Sequence, residues 1–153
     1  MKISKPGVGK SYYTTTYAQP TLASATPVAW TTGNSPVTLF TVTGTVLCRV
    51  YGVVGATQFT STLNTGTLAL GVTGATGALI AATTADGSVN FVANAAWMDS
   101  TPTVTAEVLA SIPHGWVLLT GNIILTIAVN SMTAGAVVLY CDWIPVTAGA
   151  SVA

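Results

Sequence analysis

Few side chains in this sequence could do chemistry, and their spacing decides little in favour of it. His114 is the single histidine, set between Pro113 and Gly115 in a predicted loop. It could serve as the base of a serine or cysteine triad only if distant residues converged on it. The carboxylates are Asp86, Asp99, Glu107 and Asp142. A glycosidase pair would need two of them across a cleft, yet Asp86 precedes Gly87 and Asp99 stands shortly before Pro102, where Asp is favoured for local turn hydrogen bonds. One histidine and two cysteines, Cys48 and Cys141, do not make up the usual zinc set, and no Asp-rich loop follows the calcium pattern. Gly7-Val8-Gly9-Lys10-Ser11 resembles the end of a phosphate-binding loop, but Ser4 stands where its first glycine belongs and the flanking strand and helix are missing. Glycine at every third place over 71–77 fails at Leu68 and Ile80, which excludes a collagen-type repeat. The expectation is a chain with no catalytic residue, no cofactor and no metal.

The chemistry that does follow from spacing is structural. In Thr45 to Val54 a two-residue period puts Val46, Cys48 and Val50 on one face and Leu47, Arg49 and Tyr51 on the other. In Leu139 to Trp143 the same period sets Cys141 and Trp143 apart from Tyr140 and Asp142. Arg49 and Asp142 thus fall in the same outward class and are expected to pair, across strands or between subunits. Cys48 and Cys141 sit in apolar strand patterns and are expected to be buried and reduced, with a disulfide open only if their strands meet at short range.

These positions require strands to hold them. Ile123 to Val129 and Ala136 to Ile144 are β-branched runs flanking Asn130 to Gly135, which predicts a β-hairpin, with Trp116 to Leu119 a strand leading into it. Upstream, strands are expected at Val37 to Thr43, Thr45 to Val54, Thr67 to Val72, Ala78 to Thr83, Ser88 to Val92 and Thr103 to Leu109. Asp86-Gly87 is expected to close a hairpin, Gly74 to Gly77 to form a loop and Trp97 to point inward. Gly44 and Gly52 are candidates for bulges or close backbone approach. About eight short strands without an amphipathic helix predict an all-β fold, an antiparallel jelly-roll-like sandwich or barrel. Residues 36–147 form this β-sandwich domain, 1–35 an extended N-terminal arm and 148–153 a C-terminal tail.

Composition bounds the partners. Asp, Glu, Lys and Arg make up 5% of the 153 residues, against roughly 25% in a typical soluble protein, and mean hydropathy is +0.65. Such a surface is expected to be covered by copies of itself or other partners, or kept wet by Thr, Ser and Asn. The most apolar window, Trp116 to Val129, is broken by Thr120-Gly121-Asn122, so no spanning helix is expected. The first residues carry positive charge without an apolar signal core. Net charge is zero, but Lys2, Lys5 and Lys10 lie in the first ten residues while residues 11–153 sum to −3. Three lysines are too few to hold nucleic acid directly. The arm instead pairs its lysines with Tyr12, Tyr13, Tyr17 and Trp30, an aromatic content foreign to disordered tails. All seven are candidate partner-binding residues.

The run Pro36 to Leu47 and on through Tyr51 to Val54, with Leu70 to Gly74 and Ala136 to Pro145, resembles small virion proteins of tailed bacteriophages. The resemblance implies a head decoration, or cement, protein: a β-domain, often trimeric, on the outer capsid surface of the virion, bridging subunits of the major capsid protein. It brings no active-site residues. A virion fibre, spike or glycan-binding host-recognition module shares the same β architecture and is the alternative expectation.

Overall fold

The computed structural model describes residues 14–18, 30–99, 102 and 116–153. The fold is all-β and antiparallel. A five-stranded sheet holds β1 (Thr14–Ala18), β4 (Val46–Val54), β8 (Ala96–Trp97), β9 (Val117–Leu119) and β12 (Val137–Pro145), with β1 at one edge, then β12, then β4. The second sheet runs β2 (Val37–Phe40), β10 (Ile123–Ala128), β6 (Thr67–Val72), β7 (Ala75–Thr84). Two short ladders tie the rim: β5 (Thr60–Ser61) with β11 (Met132–Ala134), and β3 (Val42–Thr43) with β13 (Ser151–Val152).

The alternation of β4 explains its place. Val46, Cys48, Val50 and Val54 are buried while Arg49 and Val53 are exposed, so one side chain in two enters the core. In β12, Val137, Leu139 and Cys141 enter it. The second sheet supplies Phe40, Leu68, Leu70, Ile80, Ile123, Leu125 and Ile127 to the same cluster. Apolar area removed from water there stabilises at roughly 25 cal/mol per Å². Trp97 is fully buried, as its sequence context predicts, and packs edge-on against Phe91, which in turn meets Phe59. Gly52 lies opposite Trp97 in register, and a Cβ there would stand 3.0 Å from Leu139 and 3.4 Å from the Trp97 ring. This is the close approach expected of it. Gly44, at φ +69°, turns the chain between β3 and β4.

In chain order the polypeptide passes from β1 to β2, β4 and β6, changing sheet each time. It stays in the second sheet for the β6–β7 hairpin, then alternates through β8 and β9, β10 and β12. Strands β8 and β9 lie in succession along one edge of β4: Trp97 is opposite Gly52, and Val117 is opposite Cys48. Arg49 to Tyr51 thus separate the two ladders on that edge.

Several expectations are corrected. Strands β10 and β12 do not form a hairpin; they belong to different sheets. The six residues between the two runs do not simply reverse the chain. Val129 takes the left-handed conformation at φ 64°, β11 pairs with β5, Met132 N–H donates to the Trp30 carbonyl at 3.0 Å, and Gly135 at φ +135° delivers the chain to the other sheet. Asp86-Gly87 does not close a hairpin either. The Asp86 carboxylate accepts from Ser88 N–H at 2.8 Å and Ser88 Oγ at 2.7 Å, and its carbonyl accepts from Val89, Asn90 and Phe91. Residues 88–92 are consequently coiled into turns, not a strand. The hairpin turn of this region is Thr73-Gly74, with Gly74 at φ +88°, so β7 starts at Ala75 rather than after a loop. The stretch Val37 to Thr43 is split between β2 and β3.

The ends of the predicted domain also shift. Trp30, expected in the arm, is 1% exposed and tilts against Phe59 at 5.6 Å between ring centres. Its indole is too large and apolar to stay outside when a core cavity fits it. At the other end Ala150 and Val152 are buried, and Thr41 and Ala153 exchange backbone hydrogen bonds at 2.7 and 3.0 Å. Residues 148–153 thus belong to the domain. Thr103 to Leu109 lies outside the described residues.

Candidate functional site

The polar chemistry of the described residues gathers on the outer face of the first sheet. Arg49 and Asp142 stand directly opposite each other on β4 and β12, and Arg49 Nε donates to Asp142 Oδ2 at 2.8 Å. The Asp142 side chain is 4% exposed and the Arg49 side chain 44%. A nearly buried carboxylate thus meets a guanidinium that still reaches water. Such charge-assisted bonds are shorter and stronger than neutral ones, and the ordered carboxylate gives the β4–β12 register a fixed polar mark. Two steps along, Tyr51 faces Tyr140, and their rings stack at 5.2 Å and 14°. An aromatic cross-strand pair of this kind contributes about 0.5–1.5 kcal/mol beyond its area. The Arg49 guanidinium also lies 5.6 Å from the centre of the Trp116 ring, within cation–π range.

The edge of this sheet is completed by β1. Its register with β12 runs from Thr14 opposite Trp143 to Ala18 opposite Leu139. Thr16 is the peg: its Oγ1 accepts from the Trp143 indole N–H at 3.0 Å and donates to the Val152 carbonyl at 3.2 Å. One hydroxyl therefore joins β1, β12 and β13.

On the inner face, Cys48 and Cys141 are free thiols and fully buried. A hydrogen bond from Cys141 holds the Cys48 thiol below its ordinary value against the effect of burial. The same contact, and then burial, pushes Cys141 well above it. Neither thiol reaches solvent, and thiol chemistry needs an accessible thiolate. They act as core residues.

Of the candidate partner-binding residues, Lys2, Lys5, Lys10, Tyr12 and Tyr13 lie outside the described residues, and Tyr17 is placed by its backbone opposite Tyr140. Trp30 is removed from the set, because a side chain locked against Phe59 offers nothing to a partner. His114 and Glu107 lie outside the described residues, and Asp86 is used by its own turn. Among the described residues no three His, Cys, Asp or Glu side chains come together, and no helix is long and apolar enough to cross a membrane. Sequence reasoning missed Thr16, Trp116 and the tyrosine pair. The last was within reach, since pairing Arg49 with Asp142 in an antiparallel ladder forces Tyr51 opposite Tyr140. Comparison with protein-family models, with curated proteins and with solved structures finds no match for this chain.

Proposed function

We propose that this chain is a structural virion protein of a tailed bacteriophage, a head decoration protein that braces the capsid from outside. Its domain is read as a jelly roll. The support for that fold is the strand order: the nine described strands of the two sheets change sheet at each step except from β6 to β7 and from β8 to β9, and β1 lies beside β12. Jelly rolls serve capsids and lectins alike, so the role must rest on the surface.

The observation that carries the reading is a whole sheet without a charge. No Asp, Glu, Lys or Arg occurs in β2, β6, β7 or β10, and elsewhere on the domain Leu63, Val89, Val129 and, in β9 of the first sheet, Leu118 are each more than 60% exposed. A charge-poor surface with exposed aliphatic side chains favours coverage by neighbours, and in a lattice small gains per contact recur at every copy. The partners are the major capsid protein and further copies of this chain, in the trimeric arrangement that the resemblance implies. No enzymatic step is assigned.

The test uses heads of the phage that carries the gene, assembled without this protein. Added full-length chain is expected to co-sediment with them at a fixed ratio and to raise the temperature at which DNA escapes. Failure to co-sediment overturns the reading. The stacked Tyr51–Tyr140 pair and Trp116 favour a second reading, a glycan-binding host-recognition module, because flat aromatic faces suit sugar rings. Saturable binding on a glycan array, lost in Tyr140→Ala, would select it.

A further inference from the structure

We propose that β1 is an exchangeable strand: the edge of β12 that it fills is the docking site for residues 14–18 of a second copy of this chain. This deepens the assembly role proposed above and rests on that role for its purpose, though not for its geometry.

The contacts of β1 are local to its five residues. Those described are the backbone ladder with β12, a single-edge pairing in the sheet order, and the two hydrogen bonds of Thr16 to Trp143 and Val152. The segment itself, Thr-Thr-Thr-Tyr-Ala, carries no charge. An identical strand from another molecule would make every one of these contacts unchanged. The acceptor is equally self-contained. Strand β12 is fixed along its other edge by nine register pairs with β4, and an uncovered edge of this length is a template for any extended segment.

The body of the domain resumes at Trp30, which is locked in the core and accepts from Met132 N–H. Residues 19–29 separate it from Ala18. That connection can span at most about 40 Å when extended. A domain of this size has a radius of gyration of about 15 Å, so the strand can reach the β12 edge of an adjoining copy. Linkage within one chain favours the home edge by an effective concentration in the millimolar range, and that advantage disappears where neighbours are held side by side. Exchange therefore joins copies without any new interface being built.

The experiment places one cysteine on each of two full-length chains, Tyr17→Cys on the first and Tyr140→Cys on the second, at positions opposite each other in register. The chains are unfolded together, refolded at high concentration and mildly oxidised. The expected result is a covalent dimer whose bridging peptide, by mass spectrometry, joins residue 17 of one chain to residue 140 of the other. A chain carrying both substitutions should form 17–140 linked oligomers. If that chain closes the bond within one molecule and the mixed chains give no 17–140 dimer, exchange is overturned. A second measurement leaves Tyr140 untouched: because the closed and exchanged forms share the two Thr16 bonds, Thr16→Val should lower the denaturation midpoint of monomer and dimer alike and leave their ratio in sedimentation unchanged within about twofold. A shift of that ratio by about fivefold or more would also overturn it. Neither assay contains a phage head, so a chain that exchanges β1 but ignores heads would refute the decoration role alone.

Discussion

The two sheets share one core but differ in what they show to the outside. The second sheet is neutral throughout, and its most constrained point is steric: at Gly71 a Cβ would run into the Ala75 carbonyl and the Thr76 backbone. The first sheet carries Arg49 and Asp142, the stacked tyrosines and the β1 edge, and its close approach at Gly52 is made by side-chain tips. The tightest point of one sheet is backbone against backbone. The other is specified by polar and aromatic pairs that also mark its surface.

The largest expected effect tests this contrast directly. Gly71→Ala should cost about 3 kcal/mol or more in urea unfolding, because the Ala75 and Thr76 peptide atoms cannot yield. Gly52→Ala should cost about 1 kcal/mol, since Leu139 Cδ2 and Val137 Cγ2 can shift by a few tenths of an ångström. Equal losses would break the comparison. Next, Arg49→Asp and Asp142→Arg should each destabilise by about 2 kcal/mol, and the double exchange should recover at least about 1 kcal/mol of the summed loss. A strictly additive loss would remove the pair as an organiser of the first sheet.

The passage between the sheets gives a smaller effect of opposite sign. Val129 is β-branched, 69% exposed and left-handed at φ 64°, so Val129→Gly should stabilise by about 1 kcal/mol, read as a higher denaturation midpoint. The smallest effect is a titration at the end of the second sheet. Hydrogen bonds from the Ser88 hydroxyl and then its backbone N–H hold the Asp86 carboxyl below its ordinary value. A depressed folded value means that its stabilising contribution is full above the unfolded carboxylate value and is lost as pH falls through the lower one. Ser88→Ala should move the Asp86 titration, followed by NMR, back toward the ordinary carboxylate range.

Much of the first sheet was legible in the sequence. Strict alternation in Val46 to Val54 and in Leu139 to Trp143 assigned faces to ten residues' neighbourhoods through period alone, and a single Arg and a single Asp on matching faces made the pair readable. The sheet crossings were less so. Two apolar runs separated by a short polar segment suit a hairpin and a crossover equally well, and the contacts that decide, Trp30 with Met132 and β5 with β11, are remote in sequence. Asp86-Gly87 signals a turn without its hand, which was set when the carboxylate captured Ser88. Trp30 lacked periodic neighbours to reveal that it faces the core, and Thr16 was one threonine in a row of three.

The split edge of β4 carries its own consequence. Because the ladder with β8 ends at Gly52 and the ladder with β9 begins at Cys48, one long strand is clasped on the same side by two short partners that do not overlap. Fraying of either clasp stops at Arg49 to Tyr51, so each half of the strand holds its register independently of the other.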